Sequence, residues 1–241
     1  TKHAFVLREQ WIADPDQVPV ELQAQLMDSA LASAAAKVDL GQVADWPQVK
    51  PGGDTVWMGA RDKSGVMVSF IQSLYWEFGS GVVVPEYGLV WNNRGSSFTL
   101  DAGIRQLGAG RKPFHTLNPA LLLHNDSSRI AFGTMGGEGQ PQTQAAMMMR
   151  HLYLGESLER SVARPRWLLG RTWGDADHGL KAEADLDADI LSALGKRGHD
   201  ITLVPAQSEA MGHAGMVKDD AQGGIDAATD PRSDGLALTA G

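Results

Sequence analysis

Cysteine is absent from the 241 residues. Its absence excludes disulfides, thiolate metal sites and a cysteine nucleophile, and says little about compartment. Positive charge is in deficit: 21 Lys and Arg stand against 29 Asp and Glu, for a net charge of −8. That balance argues against nucleic acid or an anionic membrane as a partner. No apolar run approaches the roughly 18 residues of a membrane span. The opening Thr1-Lys2-His3-Ala4-Phe5 is too polar for a signal peptide. It lacks a start methionine and reads as the middle of a helix, so a fragment or processed piece is expected.

Several catalytic signatures are missing too. No G-x-S-x-G elbow occurs. The seven histidines show neither H-E-x-x-H nor a close carboxylate spacing, so no metal is expected. Gly108-Ala109-Gly110 begins like a dinucleotide loop but runs into Arg111-Lys112-Pro113, which breaks the helix such a loop needs. Internal repeats and low-complexity tracts are absent. Threonine and serine hydroxyls are left as the plausible nucleophiles.

What is present is a globular composition, 43% hydrophobic, with 28 glycines and 11 prolines, enough for one large domain or two small ones. Pro19 opens a helix with Leu22, Leu26, Ala30 and Ala34 as one stripe. Residues 41–53 are rich in Gly, Pro and Asp and read as an exposed connector. Strands follow at Val56 to Ala60 and Val66 to Leu74, joined by Arg61-Asp62-Lys63-Ser64-Gly65. Leu121 to Leu123 and Ile130 to Phe132 form a second hairpin around Asn125-Asp126. Gln144 to Leu154, Ser157 to Ala163 and Leu186 to Leu194 read as helices, and Ile201 to Val204 as a strand. The order suggests a layered α+β domain.

Thr55 follows Gly52-Gly53-Asp54 and stands at the start of a strand. A threonine hydroxyl is a weak nucleophile without a base. An N-terminal threonine carries one in its own α-amine, with an ordinary pKa of about 7.7–8.0. A mid-chain threonine reaches that state if its hydroxyl attacks the preceding carbonyl, here that of Asp54, and the resulting ester is hydrolysed.

Seven motifs in order then carry a resemblance. They are Gly53-Asp54-Thr55, Phe78-Gly79-Ser80-Gly81, Trp91-Asn92-Asn93-Arg94-Gly95-Ser96-Ser97-Phe98 and Arg111-Lys112-Pro113-Phe114-His115-Thr116-Leu117-Asn118-Pro119. Gly133-Thr134-Met135-Gly136-Gly137, Ala163-Arg164-Pro165-Arg166-Trp167 and Asp230-Pro231-Arg232-Ser233 complete the set. From about Lys2 to Gly241 the chain resembles the γ-glutamyltransferase family of N-terminal-nucleophile hydrolases.

The resemblance implies a four-layer αββα sandwich. Residues 1–54 would be the end of the large subunit plus connector, and 55–241 the small catalytic subunit. Cleavage falls between Asp54 and Thr55, and the rest of the large subunit is the expected partner. Thr55 becomes the nucleophile and Ser73 its hydrogen-bonding neighbour, where the family has a threonine. Gly136 and Gly137 supply the oxyanion hole, and His115-Thr116 stands where a Ser-Ser pair holds the substrate carboxylate. No cofactor is implied. The enzyme would be soluble, in a bacterial periplasm or cytoplasm.

The departures concern the acyl group. The family reads a γ-glutamyl α-amine with Asn, Gln and Asp, where this chain has Tyr75, Arg94 and Ser97. An arginine repels an ammonium and suits a carboxylate. The expected substrate is a small acidic amide lacking that amine. This points to the amidohydrolase branch, resembling glutaryl-type cephalosporin acylases, with oxamate amidohydrolase or a γ-glutamyl hydrolase or transpeptidase as alternatives.

Plainer roles stand beside these. Thr1 is a rival N-terminal threonine. Arg94 can serve as half of a surface ion pair, and Tyr75 and Trp57 as core aromatics. His115 can be a loop residue, and Met147-Met148-Met149 helix core. A non-catalytic remnant or unprocessed precursor is the reading from a different class.

Overall fold

A computed structural model describes residues 1–45, 55–170 and 179–239. From residue 46 on, the expected connector lies outside the described residues, as does Asp54. Two helices open the chain, α1 (Lys2–Trp11) and α2 (Asp28–Ala35). The single helix expected after Pro19 does not form. Leu22–Leu26 is a 3-10 turn, and Met27 is extended (ψ 147°) ahead of α2. Leu22 and Leu26 of the stripe are exposed, as is Leu31, while Ala30 and Ala34 fall within α2 and are half-buried. A stripe with exposed leucines gives one continuous helix little tertiary support.

The first hairpin is β1 (Val56–Arg61) with β2 (Met67–Gln72), antiparallel in the register Val56↔Gln72 to Arg61↔Met67. Asp62 closes the loop by accepting from the Val66 N–H and the Ser64 hydroxyl. Trp57, Gly59 and Arg61 turn to one face of β1, and Val56 and Met58 to the other. Short β3 (Val83–Val84) and β4 (Leu89–Val90) make a side ribbon. The second hairpin forms as expected from β5 (Ala120–Leu123) and β6 (Arg129–Thr134). Two helices follow. α3 (Gln140–Leu154) starts earlier than expected, with Pro141 tolerated in its first turn. α4 (Leu158–Ala163) is capped by the Ser157 hydroxyl.

Next come β7 (Trp167–Leu169) and β8 (Leu180–Glu183), then α5 (Ala188–Lys196), which carries the chain to β9 (Ile201–Val204), parallel to β8. α5 starts after Leu186 because Asp187 caps it through the Asp189 and Ile190 N–H groups. β10 (Ala214–Asp219) and β11 (Ile225–Thr229) close an antiparallel sheet of order β11-β10-β6-β5.

One face of that sheet buries Ile130, Ala214, Met216 and Ala228 against Met147 of α3 and Leu158 and Val162 of α4. Met148 packs on this core while Met149 is exposed. The other face receives the first hairpin. Gly133 and Gly215, paired across β6 and β10, lie under the Trp57 indole. A Cβ would fall 2.1 Å from it at Gly133 and 2.3 Å at Gly215, so glycine is what admits the ring. The layers run hairpin, sheet, helices, which are three of the four expected. Beyond them the outer face of the hairpin presents exposed Val56, Met58, Val68 and Phe70.

Two features hold the remainder. α1 is fastened by ion pairs Arg8–Glu138 and Arg105–Glu9, and Asp14 accepts from the Lys112 N–H. Behind the sheet, Arg166, Glu183, Asp230 and Arg232 form a buried network. Arg166 pairs with Asp230 at 2.5 Å, and Arg232 bonds both Asp230 (3.0 Å) and Glu183. Burial lowers the Arg166 pKa to about 10, against the pull of Asp230.

Candidate active site

Thr55 stands directly before β1 and Ser73 directly after β2, so they extend the hairpin register by one pair. The Thr55 hydroxyl donates to Ser73 Oγ at 3.0 Å. Ser73 Oγ also accepts from the Tyr75 N–H at 2.9 Å. Tyr75 has φ 82°, a region a side chain adopts at a cost of about 1–2 kcal/mol. Burial, that hydrogen bond and a guanidinium over its ring hold it there: Arg94 Cζ lies 4.5 Å from the ring centroid. Burial raises the Tyr75 phenol pKa, partly offset by the neighbouring Ser97 hydroxyl, which is buried and makes no well-formed hydrogen bond.

Arg94 is not a surface ion-pair residue. It is 8% exposed, and its Nη1 has no hydrogen-bond partner among the described residues. Burial lowers its pKa, and its charge and the burial of His115 together hold the imidazole below the ordinary histidine value. His115 and Thr116 line a cavity of about 560 Å³ with Arg8, Phe114 and Pro141. Thr55 lines a different one of about 490 Å³, with Trp57, Met135, His213 and the 233–238 segment. The structure therefore brings Thr55, Ser73, Tyr75, Arg94 and Ser97 into one chain of contacts. It sets His115 and Thr116 beyond Arg94, on a separate hollow.

Gly136 (φ 114°) and Gly137 (φ 49°) follow β6 and precede α3. Both conformations favour glycine. Their N–H groups donate to nothing among the described residues, beside a helix N-terminus that favours negative charge. Between them and α3, Glu138 is buried and paired with Arg8. Burial raises its carboxyl pKa, against the opposing pull of Arg8.

Sequence reasoning passed over Arg8, Glu138 and His213. No motif marks Arg8. Glu138 directly follows the paired glycines, which is the signal that could have found it. Thr1 precedes α1 and lines a hollow with His199 and Leu194, whose lining does not include Thr55 or Ser73. Among the described residues no three His, Asp or Glu side chains converge as metal ligands. No described helix is long and apolar enough to cross a membrane.

The gamma-glutamyltranspeptidase family profile matches residues 1–240. The chain belongs to that family. It is 48% identical over 238 residues to the oxamate amidohydrolase proenzyme of Klebsiella pneumoniae, covering 98% of this chain and 45% of that protein. It is 37% identical over 239 residues to the glutathione hydrolase-like YwrD proenzyme of Bacillus subtilis, with the same coverages of 98% and 45%. Its structure matches the cephalosporin acylase of Bacillus halodurans with TM-score 0.87 and 33% identity, over 100% of this chain and 44% of that one. The gamma-glutamyltranspeptidase of Pseudomonas nitroreducens has the same fold at TM-score 0.63 and 20% identity, over 77% of this chain and 99% of that one. The fold is thus that of the N-terminal-nucleophile hydrolases. The chain spans slightly under half the length of the first three of these relatives.

Proposed function

We propose that this gamma-glutamyltranspeptidase-family chain is the catalytic part of an autoprocessing N-terminal-threonine amidohydrolase acting on the amide of an acidic acyl group. The observation that carries the reading is the 3.0 Å hydrogen bond from Thr55 to Ser73 at the end of the first hairpin, in a member of this family.

In processing, Thr55 Oγ attacks the Asp54 carbonyl, and the peptide becomes an ester as the nitrogen leaves. Water then hydrolyses the ester, releasing the Asp54 carboxylate and the free Thr55 amine. Residues 1–54 become part of one subunit and 55–241 the other, and the remainder of the large subunit is the further chain expected as partner. The exposed apolar face of the hairpin suits cover by that further chain.

In turnover, the amine takes the Thr55 hydroxyl proton as Oγ attacks the amide carbonyl. The N–H groups of Gly136 and Gly137 stabilise the oxyanion. The ammonium returns the proton to the leaving amine, and water cleaves the acyl-enzyme. No cofactor takes part.

Arg94 supports the acidic acyl group. A buried guanidinium with an unpartnered nitrogen suits a substrate carboxylate. The relatives named for oxamate and cephalosporin substrates favour the same side of the family. The second reading, a γ-glutamyl hydrolase, rests on the glutathione hydrolase-like relative.

Mass spectrometry and amine-release assays test this. The chain should yield a fragment beginning at Thr55, and Thr55→Ala should abolish both cleavage and amide hydrolysis. An active, uncut Thr55→Ala protein would sink the proposal. A clear preference for a γ-glutamyl anilide over a glutaryl one would sink the reading of Arg94.

A further inference from the structure

Thr55 has a facing residue that its own hairpin does not supply. Three contacts fix how β1 lies on β10. Trp57 covers Gly215, Gly59 approaches Val217, with a Cβ there 3.1 Å from the valine methyl, and Arg61 Nε donates to Asp219 at 3.1 Å. Each step of two along β1 matches a step of two along β10. One further step back sets Thr55 opposite His213. The two residues line the same cavity of about 490 Å³, as this register requires.

His213 also adjoins the oxyanion loop. The Met135 N–H donates to the His213 carbonyl at 3.1 Å, and a Cβ on Gly136 would stand 3.6 Å from Gly212 Cα. The backbone there is firmly held: Arg166 donates to the Gly212 carbonyl (2.7 Å), and the Ala214 N–H donates to Asp230 (2.7 Å). His213 itself is half-buried, and its Nε2 is buried without a partner among the described residues. An orphan imidazole nitrogen beside a reacting group is a place where a ligand is expected.

Two nitrogen donors are thus offered at different distances from the nucleophile. Arg94 stacks on Tyr75, whose N–H donates to Ser73, and is not among the residues lining the Thr55 cavity. His213 lines that cavity together with Thr55, and its carbonyl accepts from Met135, the residue before Gly136. Among the residues lining the Thr55 cavity there is no Lys or Arg, and the ionisable side chains are His213 and Asp234.

We propose that His213 is a specificity-determining residue whose imidazole hydrogen-bonds a carboxylate attached directly to the scissile carbonyl. The preferred acyl group is then short, the half-amide of a dicarboxylic acid with adjoining carboxyl groups. This rests on the reading of Thr55 as nucleophile and Gly136-Gly137 as oxyanion hole.

Two anilides test it on the complete, processed enzyme. 4-Nitrooxanilate and glutaryl 4-nitroanilide release the same 4-nitroaniline and differ in where the acid sits. His213→Leu should lower kcat/KM for nitrooxanilate, chiefly through KM, about ten- to hundredfold more than for the glutaryl substrate. His213→Gln keeps a donor and should recover part of the loss. An equal fall in kcat on both substrates would make His213 a proton-transfer or nucleophile-placing group and overturn the proposal, as would no effect on either. If the wild-type enzyme cleaves neither anilide, the parent reading of an acidic amide substrate fails with it. An active wild type with insensitive variants refutes the His213 assignment alone.

Discussion

Gly133→Ala tests whether the sheet beneath β1 sets the position of Thr55, the residue proposed as nucleophile. An alanine Cβ at 133 would lie 2.1 Å from Trp57 Cδ1 and 2.4 Å from Nε1, about 1.3 Å inside ordinary contact. The indole cannot slide away freely. Its Nε1 donates to Ser69 Oγ at 2.9 Å, and Ser69 donates in turn to the Phe132 carbonyl. Beneath it, Gly215 leaves as little room. The hairpin must therefore lift from the sheet, and Thr55, two residues from Trp57, lifts with it.

Overpacking of this kind costs about 1–3 kcal/mol. In a chain of this size that lowers Tm by about 2–12 °C. The larger effect is on chemistry, because a displacement of about 1 Å at a reacting group costs about a hundredfold in rate. A denaturing-gel time course of cleavage before Thr55 reads the effect, with thermal melting alongside. In a Trp57→Leu background the added methyl should cost little more, since both changes act through one contact. A Gly133→Ala protein that cleaves at the wild-type rate with unchanged Tm refutes the argument.

Two further predictions concern stability. Arg232→Ala leaves Glu183 and Asp230 buried with part of their compensation gone, and should cost about 3–5 kcal/mol in denaturant unfolding. A loss below about 1 kcal/mol would mean that the network is already hydrated. Asp219 has its pKa lowered by hydrogen bonds from Arg61 and then Arg129. Its contribution is thus present above the ordinary carboxylate pKa of about 3.9 and is lost as pH falls through the lowered folded value. The Tm difference between wild type and Asp219→Asn should shrink on acidification through that window, and a difference that grows would reverse the sign assigned here.

The first hairpin was legible because its residues alternate and its loop is polar. α4 was legible because the Ser157 cap and the apolar Leu158 and Val162 coincide, whereas the start of α3 was missed because its first turns bury Gln140, Gln142, Thr143 and Gln144 and have no side-chain cap. β10 was not, since Ala214, Gly215 and Met216 are buried on both faces and show no alternation. β8 was hidden for another reason: Lys181 and Glu183 read as surface residues but are 3% and 0% exposed, satisfied by a carbonyl and by arginines. The pairing of Thr55 with His213 was beyond reach. It spans the same 158 residues as Arg61 and Asp219, and only the stacking of two sheets brings those ends together.

That stacking gives the sequence motifs a division of labour which their spacing alone does not disclose. Arg166 and Asp230-Pro231-Arg232 are not near Thr55 in the chain and are not among the residues lining its cavity. They hold the backbone at 211–214 from behind, through the Met211 and Gly212 carbonyls and the Ala214 N–H. That backbone touches the segment leading into Gly136: a Cβ on Gly212 would lie 2.7 Å from the Met135 carbonyl and 2.9 Å from Thr134 Oγ1. Any slackening of the buried network would therefore be transmitted to Gly136 and His213 before it reached Thr55. Thr55 is held separately, by Trp57 on its glycine platform and by Ser73. Thr55 and His213 are thus positioned by two sets of contacts that meet on β10, where Asp230 holds Ala214 and the adjacent Gly215 carries Trp57. Their meeting depends on the β1–β10 register that Arg61 and Asp219 close at its far end.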